Sequence, residues 1–241
     1  GGGVGIQLYN SFFLLIITLL ISVPLSTGAG IYLAEYAKKG LLTNFIRTCI
    51  EILSSLPSVV VGLFGYLIFV VQFGYGFSIL SGALALTVFN LPQMTRNVED
   101  SLRHVHHTQR EAGLALGLSR WETVLHVVIP EALPGIVTGI VLASGRIFGE
   151  AAALIFTAGQ SAPALDWSNW NPLSVTSPIS IFRQAETLAV HIWKVNSEGT
   201  IPDATQVSAG SAAILLIFIL LFNLSARYIG KKLHAKMTSA A

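Results

Sequence analysis

The chain has 241 residues, of which 53% are hydrophobic and only 11% are charged, and its mean hydropathy is +0.69. This composition excludes an ordinary soluble domain and is typical of proteins that lie in a bilayer. The net charge of +2 is too small to indicate nucleic-acid binding, and a single cysteine, Cys49, excludes an internal disulfide.

Apolar stretches near the 20 or so residues that a hydrocarbon core requires recur along the chain. They predict an all-α membrane protein that forms one transmembrane domain over residues 1–241. Because the sequence begins Gly-Gly-Gly without a methionine, we expect a further segment upstream. The predicted spans are 11–33, 50–71, 77–94, 135–158 and 208–224, with a polar loop at 95–133 and a polar excursion at 159–207.

The basic residues are distributed unevenly between the two sides of this five-span arrangement. Eleven of the fourteen lie in 34–49, in 95–133 or in the C-terminal tail, which all fall on one side. Two, Arg183 and Lys194, lie on the other side. The positive-inside rule therefore places the loop 95–133 and the C-terminus in the cytoplasm.

Residues 108–130 have the pattern of two short helices joined by a hinge. Thr108 with Glu111, and Ser119 with Glu122, each match a capping box, in which two side chains satisfy free backbone N–H groups at a helix start. Gly117 supplies a left-handed position that ends the first helix. Pro130 is expected to stop the second helix.

The same stretch resembles the EAA loop of ABC-importer permeases in both residues and spacing. The chain departs conservatively from the family pattern at three of the matching positions. In that family the loop is a coupling helix that docks into a groove on a separate ATPase subunit. The resemblance implies a five-helix, MetI-like importer core, with a family first helix missing from this sequence. The matching residues are Glu111, Ala112, Gly113, Gly117, Val127, Ile129 and Pro130.

Arg146 and Glu150 stand four residues apart inside the fourth predicted span, where a charge costs several kcal/mol. One interpretation is an intramembrane ion pair that neutralises itself. The other is that Arg146 faces a translocation path and meets an oxyanion through its forked guanidinium, while Glu150 holds it in place. The two are compatible, because a substrate could compete with Glu150 for the arginine.

Segments 145–150, 31–36 and 56–65 resemble the permease subunits of phosphate ABC importers, PstA in particular. This resemblance implies transport of inorganic phosphate, with sulfate or molybdate as alternatives. It also implies a PstC-like second permease, an ATP-binding subunit dimer and a periplasmic binding protein as partners. ATP and Mg²⁺ would be bound by the ATPase, so we expect no cofactor in this chain.

The sequence contains no P-loop, no His-Glu-x-x-His and no Gly-x-Ser-x-Gly. We therefore expect a transport subunit and not an enzyme. A gradient-driven transporter is the alternative, but it predicts an internal repeat and more buried ionisable groups. The histidines at 104, 106 and 107 lack the pattern of a metal site, so we expect no metal.

Three weaker patterns concern helix packing and the outer side of the membrane. Gly135, Gly139 and Ala143 recur every four residues, which favours close helix–helix contact. Residues 179–193 could form an amphipathic helix that either lies on the outer surface or seals the periplasmic gate beneath a binding protein. The tryptophans at 167, 170 and 193 are expected to anchor this excursion at the membrane–water interface.

Overall fold

The structure is a computed structural model that describes residues 3–239, and every element assigned within that range is helical. The predicted all-α fold class is confirmed. Three of the helices continue into a wider π-helical turn, at Tyr32–Tyr36, Tyr66–Gln72 and Val124–Val128. The α-helices are α1 Gly5–Ile31, α2 Leu41–Ser55, α3 Ser58–Gly65, α4 Ile79–Arg103, α5 His107–Ala115, α6 Arg120–Thr123, α7 Ile129–Phe148, α8 Ala152–Ile155, α9 Leu188–Glu198 and α10 Ala204–Ser239.

Among the described residues, three helical stretches are long and apolar enough to cross a membrane. A fourth candidate consists of two helices joined by a bend, α2 and then α3 with its π-helical turn, if the two are counted as one span. The helix α4 covers residues 79–94 of the predicted span 77–94 but is not among the candidates. Its second half is polar and carries Arg96, Glu99, Asp100 and Arg103. The three stretches are Gly5–Tyr36, Arg120–Phe148 and Ala204–Ser239.

The predicted span 50–71 is not one straight helix. The chain bends by 105° between α2 and α3, at Pro57, whose backbone is extended. Proline has no N–H for a helical hydrogen bond and disfavours helix at the residue before it, so it separates the two helices.

Two further boundaries differ from the sequence prediction. Pro130 does not stop a helix: the Ile129 N–H reaches back five residues to the Val124 carbonyl, and this wide turn accommodates the proline ring just after it. The helix then runs on to Phe148 instead of to residue 158. Beyond it, the Glu150 carboxylate accepts a hydrogen bond from the Ala153 N–H and begins α8.

The described residues form two compact units. The first comprises residues up to Ser22, Ser55–Asn90 and Ser144–Leu221, and the second comprises Val23–Ser54, Leu91–Ala143 and the described residues from Phe222 on.

In the first unit, the aromatic rings of Phe12, Phe148 and Phe218 pack with centroids 5.0–5.6 Å apart. The predicted helix 179–193 is wrong in its first half. Before α9, the chain forms turns and irregular structure, and the carbonyls of Ile181 and Arg183 accept hydrogen bonds from the first N–H groups of α4. Thr187 caps α9, and the Arg183 side chain is buried with its guanidinium donating to Asn10.

In the second unit, apolar side chains of α4, of the turn at 124–128 and of α7 form a buried cluster that the end of α1 also contacts. The prediction of close packing at Gly135 and Gly139 is confirmed, because a Cβ at either position would meet Ser101 or Asn97 of α4. The cluster consists of Val98, Leu102, Val105, Val128, Ala132 and Ile136.

Gly30 marks a close approach of α1 to α4. A Cβ at this position would lie 2.6 Å from the Val98 Cβ and 3.1 Å from the Glu99 backbone nitrogen. We expect Gly30→Ala to destabilise the protein by about 1–3 kcal/mol, because the obstacles are rigid. Gly28→Ala, two residues away with open space around it, is the matched control and should have little effect. Thermal unfolding in detergent measures both; equal midpoints would contradict the close approach.

Candidate functional site

A helical hairpin, residues 107–128, is built in the second unit where the sequence predicts two short helices and a hinge. Gly117 has φ +85°, so the left-handed hinge is confirmed. Ser119 and Glu122 form the expected capping box at the start of α6. The first capping box is wrong, because α5 already begins at His107 and Thr108 lies inside the helix.

The hairpin has two arms, α5 as the first and α6 as the second, and they touch at Gly113. A Cβ there would lie 2.7 Å from the Thr123 Cγ2, and both residues are buried. This contact gives a physical reason for glycine at the position where the family pattern has alanine. Because glycine has no Cβ, α5 and α6 can pack closely despite the β-branched threonine opposite.

Glu35, at the end of the helical stretch that α1 begins, holds the first arm of the hairpin. The Arg110 guanidinium donates two hydrogen bonds to its carboxylate, with Nη2–Oε1 at 2.7 Å and Nε–Oε2 at 3.2 Å. Arg110 also donates to the carbonyls of Leu102 and Val105, at 2.7 and 2.9 Å. A bidentate charged pair with further carbonyl partners is both strong and directional.

The second arm is held at the same place. The Arg120 guanidinium donates to the backbone carbonyl of Glu35 and lies over the ring of Tyr36, 4.9 Å from its centroid. Glu35 therefore connects α1 with both arms, and we call Glu35, Arg110 and Arg120 the clamp. The resemblance of residues 31–36 to phosphate permeases does not predict this role. A charged residue ending an apolar helix was the available signal.

The hairpin presents apolar side chains to its surroundings. Leu116, beside the hinge, is 81% exposed, and Leu114 and Trp121 are about half exposed. A cavity of about 320 Å³ lies between the clamp and the arms, lined by charged and apolar side chains. An exposed apolar patch with a charged rim is typical of a protein docking surface.

The seven residues predicted for coupling occupy different environments. Four are exposed, one is buried between the arms, and two are half-buried where the hairpin meets α7. The exposed residues are Glu111, Ala112, Gly117 and Pro130. The buried residue is Gly113, and the half-buried residues are Val127 and Ile129.

Arg146 and Glu150, predicted for a substrate path, lie in the first unit but do not pair. Arg146 is in the last turn of α7 and exposed, and Glu150 lies beyond the helix end. Among the described residues, Arg146 has no ion-pair partner within 4 Å, so the expectation that Glu150 holds it is wrong. The helix ends before Glu150, whose carboxylate instead caps α8. No described group of three or more His, Cys, Asp or Glu residues could hold a metal ion.

The family described as binding-protein-dependent transport system inner membrane component matches residues 26–239. The chain belongs to this family of ABC-importer permeases. It is a transmembrane subunit of an importer, and the hairpin lies within the matched region.

Several relatives of this permease carry more specific names. It is 58% identical to a probable ABC transporter permease protein, YqgI, of Bacillus subtilis, over 99% of this chain and 81% of the relative. It is 38% identical to the phosphate transport system permease protein PstA of Yersinia pestis, over 97% and 75% of the two chains. It is 34% identical to PstA of Xylella fastidiosa, over 94% and 74%.

Solved structures share the fold of this permease at low sequence identity. A chain of the MetNI methionine ABC transporter, in an inward-facing conformation, superposes with a TM-score of 0.68 at 19% identity. The superposition covers 96% of this chain and 94% of the other. The predicted MetI-like importer fold is thereby confirmed.

The clamp generates a prediction about stability. Glu35 is 7% exposed and Arg110 is 20% exposed, so Glu35→Gln leaves a largely buried guanidinium without its anion. We expect a loss on the order of 2 kcal/mol and greater protease sensitivity of the hairpin. The double variant Glu35→Gln/Arg110→Gln should lose less than the two single losses combined.

Glu131→Gln removes an exposed carboxylate of the same unit and serves as the matched control. Thermal unfolding of the purified complex and limited proteolysis measure the effect. If Glu35→Gln and Glu131→Gln unfold at the same temperature, the ion pair does not hold the hairpin.

Proposed function

We propose that this permease translocates inorganic phosphate by alternating access, as the PstA-like subunit of an ATP-driven importer. The support for phosphate is the 34–38% identity to permeases named as phosphate transport proteins over most of both chains. The relative at 58% identity has no named substrate, so another oxyanion such as sulfate or molybdate is the alternative to be tested.

The hairpin is the proposed point of energy input. Its apolar tip, with Leu116 exposed beside the hinge, suits insertion into a groove of a cytoplasmic ATPase dimer that binds ATP and Mg²⁺. The clamp transmits a push on either arm to the end of α1, since both arginines bind Glu35. This proposal puts the hairpin and the C-terminus in the cytoplasm, in agreement with the charge distribution of the sequence.

Arg146 is the proposed anion contact. It is a permanently charged, exposed side chain in the second half of α7, and among the described residues no ion-pair partner lies within 4 Å of it. Its fork of N–H donors matches the geometry of an oxyanion, and no internal partner has to be displaced first. Glu150 contributes by fixing the start of α8 just beyond the helix that carries Arg146.

The remaining parts of the transporter are supplied by partners. We propose a PstC-like second permease and a periplasmic binding protein that delivers the anion. ATP binding closes the ATPase dimer and draws the hairpins together, which opens the path outward; hydrolysis returns it to the cytoplasm. This chain carries out no covalent step in the cycle.

The test is uptake of labelled phosphate, sulfate and molybdate by the complex reconstituted with its ATPase and binding protein. We expect ATP-dependent uptake of phosphate. Arg146→Gln should reduce uptake at least tenfold, which corresponds to about 1.4 kcal/mol of lost anion stabilisation. Arg227→Gln removes the same charge from an exposed position on α10 and should leave uptake unchanged.

Uptake of sulfate or molybdate in place of phosphate would contradict phosphate as the substrate. It would leave the proposal of an ATP-driven importer intact. Normal phosphate uptake by Arg146→Gln would remove Arg146 from the path. Uptake driven by an ion gradient without the ATPase would contradict the proposed mechanism altogether.

A further inference from the structure

The helix α2 has three distinct sides. With about 100° of rotation per residue, Thr43, Ile46 and Ile50 fall on one side, and these residues are buried or half-buried. A second side carries large apolar residues that are exposed in the part of the chain that the structure describes. A third side carries exposed polar residues, Asn44 and Glu51 among them.

The packed side is fixed by specific contacts within the second unit. Arg47 pairs with Glu99 of α4 at 2.7 Å, and the Thr43 hydroxyl donates to the Lys38 carbonyl at 2.6 Å. Glu99 is also paired with Arg103. Because these contacts set the rotation of the helix, its apolar side cannot turn inward.

The apolar side is unusually exposed. Leu41 is 90% exposed and Phe45 is 66% exposed, and Leu42 and Ile52 continue the same stripe. The polar stripe runs directly beside it. A helix with adjacent apolar and polar stripes on its free surface is suited to the boundary between lipid and water.

The neighbouring chain agrees with this placement. Lys38 and Lys39 are exposed immediately before α2, where they could meet anionic headgroups.

We infer that α2 lies in the headgroup region of the cytoplasmic leaflet, with Leu41, Leu42, Phe45 and Ile52 inserted and Lys38 and Lys39 bound to anionic lipid. The assignment to the cytoplasmic leaflet rests on the orientation given under the proposed function. The occupant of the apolar stripe is thus a lipid surface and not a second polypeptide.

Spin labels at neighbouring positions on α2 test the inference. Because Cys49 is the sole cysteine, the Cys49→Ser background accepts one new label at a time. Phe45→Cys labels the apolar stripe, and Asn44→Cys, the preceding residue, labels the polar stripe as the matched control. The complete complex is studied in nanodiscs of phosphatidylcholine with phosphatidylglycerol.

We expect the label at position 45 to collide with oxygen, which partitions into lipid, and to be protected from a water-soluble nickel complex. The label at position 44 should show the reverse. Lys38→Gln with Lys39→Gln should shift the label at position 45 toward water in discs that contain phosphatidylglycerol, and not in discs of phosphatidylcholine alone.

Two results would overturn the inference. Equal access of the nickel complex to positions 44 and 45 would put α2 in water. Protection of position 45 from both reagents would show that a protein covers the stripe. Leu42→Cys repeats the measurement if Phe45→Cys does not assemble. Phosphate uptake by the same variants is measured separately in sealed proteoliposomes, so failure of the lipid contact and failure of the transport proposal are distinguished.

Discussion

The bidentate ion pair between Glu35 and Arg110 is the contact on which the arrangement of the hairpin depends. It joins the end of α1 to one arm, and Arg120 joins the other arm to the same residue through the Glu35 carbonyl. Without it, two short helices of nine and four residues would keep their positions only by apolar contacts and by the hydrogen bonds of Arg110 and Arg120 to backbone carbonyls. Isolated helices of that length are unstable in water, so their order depends on such tertiary contacts.

The wide turn at Val124–Val128 has a mechanical consequence. It carries the helix past Pro130, so that one helical stretch continues from the second arm of the hairpin to Phe148 and includes Arg146. Under the proposed coupling, displacement of the hairpin passes along this continuous backbone instead of across a flexible loop. Close packing at Gly135 and Gly139 restrains the same helix against α4.

Sequence patterns succeeded where the signal is local. The capping box of Ser119 and Glu122 and the hinge at Gly117 act through near neighbours in the chain, and the structure has each as predicted. The small residues of α7 also pack closely as predicted, although their partners, Ser101 and Asn97, lie on α4. The failures have several causes. The wide turn that accommodates Pro130 leaves no mark in composition, and the role of Glu35 depends on arginines 75 and 85 residues away. The i, i+4 spacing of Arg146 and Glu150 predicted a pair only on the assumption that the helix continues.

Cross-linking between the hairpin and the ATPase tests the central claim most directly. In the Cys49→Ser background, Leu116→Cys places one reactive thiol at the hairpin tip, and Leu173→Cys places one at an equally exposed site in the excursion (81% and 79% exposed). We predict that a short bifunctional reagent joins position 116, and not position 173, to the ATPase subunit of the assembled importer. Cross-linking of position 116 to the periplasmic binding protein, or of position 173 to the ATPase, would contradict the account.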